Sequence, residues 1–157
     1  ELKESVKQIG SQSRQIVSAL DDIVWSIDAR NDTIGDLTDR MQDYTNTVLS
    51  NKEVIYHFEN IDMDEKLKVR RKENLYLIFK EAVNNISKHS NATRVTVQFK
   101  TSEDDFELLI HDNGTKIKNQ RKSGQGLHNM NMRAERIGAT VTFEDENGFA
   151  VQVSSNH

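Results

Sequence analysis

The chain contains no cysteine and no proline in its 157 residues. Without cysteine there is no disulfide framework, no thiolate metal site and no cysteine nucleophile. Without proline, no stretch is barred from a helix by a missing N–H. Apolar residues are scarce at 35 %, and no run of 18 of them occurs, so no segment reads as a membrane-spanning helix. Positive charge is not in surplus: Lys+Arg number 21 against 25 Asp+Glu, a net charge of −4. Nucleic acid is therefore not expected as a partner, because neutralising phosphates needs a basic face. The charged fraction of 29 % fits one modest core joined to a long, water-facing helical part. The first residue is Glu1 rather than Met, with no leader pattern after it, and the chain reads as a piece of a longer protein.

What is present begins with a heptad seam. Leu2, Val6, Ile9, Ser13, Ile16, Leu20, Ile23 and Ile27 succeed one another at alternating spacings of 4 and 3. That 3.5-residue period lays one narrow apolar stripe along a helix, and such a stripe requires a partner helix. Residues 28–33 interrupt it with turn and cap types, and Asp32 or Thr33 can accept a free N–H of the next helix. Ile34, Leu37, Met41, Tyr44 and Val48 form a second amphipathic run; Val54, Tyr56 and Phe58 alternate as a short strand. A longer helix is expected from just after Asp62 or Asp64 to about His89, with Leu75, Ile78, Phe79, Ala82 and Ile86 inward. From residue 94 the period becomes two, predicting a hairpin of 95–99 with 106–110 around a turn at 102–105. Leu127, Met130, Ala134 and Ile137 predict a last helix stopped by a left-handed Gly138, and a second hairpin follows around 145–148. The expectation is an α+β layer behind a helical arm, with residues 1–28 as the arm and 29–157 as the globular domain.

Three clusters carry possible chemistry. In 79–89, Glu81, Asn85 and Lys88 (or His89) recur at helical spacing, opposite the apolar positions. A carboxylate, an amide oxygen and a cation along one wall suit a hydrated Mg²⁺ and polyphosphate oxygens. A solvated face of an amphipathic helix looks the same. In 108–114, Asp112 ends an apolar strand before Asn113-Gly114. That is either a turn or a carboxylate at a pocket rim accepting from an exocyclic amine, a contact worth roughly 1.5–3 kcal/mol. Between Thr115 and Gly126 stand four basic residues and no acid, then Gly124 and Gly126 open a helix. Glycines admit an anion to backbone N–H groups and the helix N-terminus favours negative charge, although a charged surface loop shares this composition.

Taken in order, Glu81-x-x-x-Asn85, Asp112-Asn113-Gly114 and Gly124-x-Gly126-Leu127 resemble the N, G1 and G2 boxes of the GHKL ATP-binding domain, the Bergerat fold. Residues 81–90 and 126–134 are similar in detail to sensor histidine kinases of the nitrate-sensor and desaturase-regulator type, and the resemblance covers roughly residues 54–154. It implies a two-layer α/β sandwich with a mixed, mainly antiparallel sheet and helices on one face. It implies ATP and Mg²⁺ as cofactors, with Asn85 ligating the metal and Glu81 holding a bound water. Lys88 and His89 would face the phosphates, Asp112 would read the adenine amino group, and Gly114 would let the backbone pass close to the base. Gly124 and Gly126 would hinge a lid, and Asn84, Lys118, Gln125, Leu127 and His128 would complete the nucleotide contacts.

The resemblance further implies a protein-histidine kinase in the cytoplasm, with a response-regulator Asp as the final acceptor and a homodimer formed through the N-terminal helix. Any membrane attachment would come through segments outside this chain. The sequence departs from the family pattern at Lys116, where a second glycine is common, and at Phe149, where Thr is common. It also lacks a histidine before His57, so the phosphoacceptor is expected upstream of Glu1. A GHKL module without turnover that regulates a partner is the alternative reading. A serine kinase of the anti-sigma-factor type is disfavoured by the heptad helix in front.

Overall fold

The computed structural model describes residues 1–102, 104–115 and 124–155. Helix α1 (Leu2–Ile27) follows the heptad run, and a 3-10 turn (Ala29–Asn31) then leads to α2 (Ile34–Val48). Thr33, not Asp32, is the N-cap of α2: its hydroxyl accepts from the Asp36 N–H at 3.1 Å, and Asp36 reaches back to the Thr33 N–H. That reciprocal pairing satisfies two orphan donors and sets where the helix begins.

Strand β1 (Glu53–Glu59) is followed by α3 (Val69–His89), β2 (Arg94–Ser102), β3 (Asp105–Asp112), α4 (Gln125–Arg136), β4 (Ala139–Glu144) and β5 (Ala150–Ser155). The sheet order is β1-β2-β3-β5-β4. β1 and β2 run parallel, joined across by α3, and the other three pairings are antiparallel. The sheet is thus mixed and mainly antiparallel, as expected. Along β2 and β3, Val95, Val97, Phe99, Phe106, Leu108 and Ile110 are buried at every second position. They pack with Leu75, Ile78, Phe79, Ala82 and Ile86 of α3 into one core. Gly138 has φ +65° and terminates α4 as a left-handed residue.

Helix α3 begins at Val69, later than the sequence suggests. The backbone of 63–67 is engaged by the α2 N-terminus instead: Ile34 and Gly35 N–H donate to the Glu65 and Met63 carbonyls, and Leu67 N–H donates to Asp32. With those groups committed, the chain cannot turn helical until Lys68.

Among the described residues, the hydrogen bonds and ring contacts of α1 with the domain come from Ser18 onward, and its stripe faces away. The apolar residues of the seam are exposed, from 50 % at Ile23 to 82 % at Leu2. The opposite side, carrying Asp22, Trp25 and Ser26, is the one held. Asp22 is 7 % exposed and accepts from Arg40 on α2 (3.1 Å) and Lys80 on α3. The Trp25 ring lies 5.4 Å from Tyr76, with Arg40 Cζ at 5.3 Å and Lys72 Nζ at 4.8 Å from its centroid. Lys72 is fully buried, donates to the Asn31 carbonyl, and has its pKa lowered by that burial.

Candidate nucleotide site

The alternation of β3 decides the state of Asp112. Phe106, Leu108 and Ile110 face the core, so the residue two further on faces it too, and Asp112 is 1 % exposed. Its Oδ1 accepts from the Gly114 N–H (2.7 Å) and the Phe149 N–H (3.3 Å). Its Oδ2 is buried with no hydrogen-bond partner among the described residues. A buried carboxylate oxygen left unsatisfied is costly, so this one calls for an outside donor.

Glycines crowd this carboxylate. At Gly114 a Cβ would stand 2.7 Å from Ser90 Oγ and 2.9 Å from both Asn91 Oδ1 and Asp112 Oδ1. At Gly148, φ is +89° and a Cβ would collide with the Asp112 carbonyl oxygen. Phe149, the departure from the family pattern, holds Asp112 through its backbone, while its ring stacks on Phe143 at 6.5 Å. Asn91 is a residue that sequence reasoning missed, and Ser90, although inside the family-like run, was given no role there. Asn91 holds both the N–H and the hydroxyl of Thr115 at 2.9 Å, which fixes the segment after Asp112 to the end of α3. A Ser-Asn pair just past a helix C-terminus is the signal that was there to be read.

The third cluster comes in from α4. Gly124 is its N-cap without a side-chain cap, so the first-turn N–H groups of Gln125, Gly126 and Leu127 are not taken by one. A Cβ on Gly126 would collide with the Glu81 carboxylate. The N-box and G2-box residues are therefore in contact, and the Asp112–Gly114 segment abuts the C-terminal end of the same helix. Glu81 and Ser90 are nine positions apart, about 13 Å along the axis of α3.

The predicted residues separate as follows. Glu81, Asn84 and Lys88 line a cavity of about 670 Å³ between α1, α3 and α4. Asn85 does not line it; one residue on, about 100° round the helix, it lies between Glu81 and the buried face. Glu81, Asn85 and Lys88 share one face of α3 as expected, while Asn84 joins Glu81 and Lys88 in lining the cavity beside α1. The Asn84 oxygen accepts from the Tyr44 hydroxyl at 2.6 Å, and burial raises the pKa of that phenol. Lys88, His89 and His128 are exposed; Leu127 packs against the core; Gln125 donates to Asn129 at 3.2 Å. Lys118, with Lys116 and the rest of the basic run 116–123, lies outside the described residues.

Residues 71–155 match the family of histidine kinase-, DNA gyrase B- and HSP90-like ATPases. The chain belongs to that family. Within it, a 70-residue stretch is 44 % identical to the sensor protein VraS of Staphylococcus epidermidis, covering 43 % of this chain and 20 % of that protein. Over 107 residues the chain is 29 % identical to the histidine-protein kinase/phosphatase UhpB of Salmonella typhimurium, covering 68 % and 21 %. The chain thus spans about a fifth of the length of these relatives.

The fold is shared with the blue-light activated histidine kinase of Erythrobacter litoralis EL346 (TM-score 0.69, 19 % identity, 95 % of this chain and 49 % of that one). It is also shared with AdeS of Acinetobacter baumannii (TM-score 0.65, 12 % identity, 96 % and 82 %). The site suits the family's nucleotide: one orphaned carboxylate oxygen, glycines where a base and phosphates must pass close, and an uncapped helix end. Among the described residues, no group of three or more His, Cys, Asp or Glu could cage a metal. A Mg²⁺ ion needs no such cage, because it keeps several waters and takes only one or two side-chain oxygens together with substrate phosphates.

Proposed function

We propose that this chain is the ATP-binding catalytic part of a two-component sensor histidine kinase, joined through residues 1–28 to its dimerisation hairpin. The full protein would pass the γ-phosphoryl of Mg-ATP to a histidine upstream of Glu1 and then to an aspartate of a response regulator. The unpaired Oδ2 of Asp112 carries this reading. It belongs to a carboxylate whose other oxygen is held by two backbone N–H groups, and it lacks only the donor that an adenine amino group provides. A base without that amine would leave the oxygen unpaired, a penalty that favours adenine.

Bound Mg-ATP supplies the transferable phosphoryl group and part of its charge neutralisation. The protein's share is positioning and electrostatics. Asp112 and Gly114 seat the base; the N–H groups of the α4 first turn and the cation of Lys88 meet negative oxygens; Asn85 offers its amide oxygen to the metal and Glu81 orients a water. By the family resemblance His89, Lys118, Gln125 and His128 would face the phosphates, and Leu127 would support the α4 turn. Asn84 acts through Tyr44, bracing α3 against α2. The seam of α1 is free to pair with the same seam of a second copy, because the helix holds its own domain with its other side. A cytoplasmic location follows from the same reading, with any membrane attachment in segments outside this chain.

The test is a calorimetric titration of Mg-ATP into the chain and into Asp112→Ala. Loss of at least tenfold in affinity on substitution is expected, from one charge-assisted hydrogen bond of roughly 1.5–3 kcal/mol. Equal binding by both proteins, or by neither, rejects Asp112 as the adenine reader. A full-length protein that binds ATP but never phosphorylates its upstream histidine would favour the regulatory-module reading instead.

A further inference from the structure

α1 and α3 lie antiparallel. Trp25 stacks near Tyr76, Asp22 pairs with Lys80, and Ser18 accepts from Lys80 Nζ at 3.1 Å, so rising numbers on one helix meet falling numbers on the other. Eight residues before Asp22 on α1 stands Arg14; eight residues after Lys80 on α3 stands Lys88. Each step is about 12 Å along its helix; counted from Asp22–Lys80 it puts Arg14 opposite Lys88, and counted from Ser18–Lys80 opposite Asn84, so Arg14 stands over the 84–88 stretch of α3. Arg14 and Lys88 both line the 670 Å³ cavity, together with Glu81 and Arg133.

The cations around this cavity differ in what they do. Lys80 is neutralised by Asp22, and Arg133 donates to the Asn74 oxygen at 3.5 Å. Arg14 and Lys88 pair with no carboxylate among the described residues. The Arg14 guanidinium lies along α1 toward its N-terminus, 3.5 Å from where a Cβ on Gly10 would stand. That direction carries it farther toward the Lys88 end of α3. Two like charges facing across one cavity repel unless an anion lies between them.

We infer that Arg14 is a phosphate-binding residue contributed by the dimerisation helix, which with Lys88 clamps the outermost phosphate of the bound nucleotide when α1 is docked on the domain. The inference rests on the nucleotide site proposed above, with Glu81, in contact with Gly126, marking where the phosphate end of that site opens into the cavity. Asp22 is its positioning partner: the buried ion pairs to Lys80 and Arg40 hold α1 at the register that lets Arg14 reach. Arginine suits the task because its planar fork engages two phosphate oxygens at once and stays charged at any working pH.

The test compares ADP with the non-hydrolysable β,γ-imido analogue of ATP, each with Mg²⁺, by calorimetry on the full 157-residue chain. Arg14→Ala is expected to weaken the analogue roughly five- to tenfold while leaving ADP within about twofold, as a partly solvated charge contact allows. Arg14→Lys should restore part of the difference. Asp22→Ala should show the same selective loss, and the double variant should lose no more than either single one, since both act through one contact. An Arg14→Ala protein whose two affinities fall together, or do not change, overturns the inference while leaving the nucleotide site standing. If the unaltered chain binds neither ligand, the site itself fails.

Discussion

Gly138 and Gly148 offer a controlled comparison, since both have positive φ (+65° and +89°) and each ends a turn into the sheet. A left-handed conformation costs an L-residue roughly 1–2 kcal/mol, so alanine is unfavourable at either place. The surroundings then separate them. Around Gly138 nothing lies within 4 Å of an added Cβ, so Gly138→Ala should cost only that backbone term. At Gly148 the added carbon meets the carbonyl oxygen of Asp112, which is main chain at the end of a central strand and cannot swing aside. Either the turn between β4 and β5 moves or the end of β3 does, and overpacking of this kind adds about 1–3 kcal/mol.

We therefore expect Gly148→Ala to lose roughly 2–5 kcal/mol against about 1–2 for Gly138→Ala. In a chain of this size that difference is several degrees in Tm. Urea unfolding followed by circular dichroism measures both. A nucleotide titration adds a second readout, because displacing the Asp112 carbonyl also disturbs the Phe149 N–H that holds its carboxylate. Equal destabilisation by the two variants, within about 0.5 kcal/mol, would falsify the steric argument.

Removing the α2 cap by Thr33→Ala should cost about 1 kcal/mol and at most about 2, read as a lowered urea midpoint with unchanged slope; a neutral result means the capping box is not formed in solution. Burial raises the pKa of all three tyrosines, with Tyr76 pushed up to about 12. The folded state thus holds its phenolic protons where the unfolded chain releases them, so stability falls as pH rises from 10 toward about 12. Near-UV phenolate absorbance should rise late and together with unfolding, and an ordinary midpoint near pH 10 in a folded protein contradicts the burial. Leu20→Glu in the exposed stripe of α1 should turn a concentration-dependent dimer into a monomer in sedimentation runs. A wild-type chain that stays monomeric at high concentration removes the basis for that pairing.

Local periodicity made most of the fold legible. The two-residue alternation located both hairpins, the heptad located α1, and a glycine after Ile137 marked the end of α4. Spacing within one helix also put Glu81, Asn85 and Lys88 on one face. It could not tell that Asn84 rather than Asn85 would line the cavity beside α1, because the two differ only by a rotation that has meaning once α1 and α2 are in place. The later start of α3 was hidden for a related reason: the backbone of 63–67 is engaged by residues 32–35, a contact between segments some thirty positions apart.

What the order of residues determined by itself is the set of elements and the chemistry each carries, because periodicity and capping act within a few turns of chain. It even dictated that Asp112 shares the face of Phe106, Leu108 and Ile110. Packing alone decided that this carboxylate keeps one oxygen unpaired, that Gly126 stands against Glu81, and that Asp22 is buried between Lys80 and Arg40. Those are encounters of distant segments, and an amino acid's neighbours in space are settled by how helices and sheet share one core.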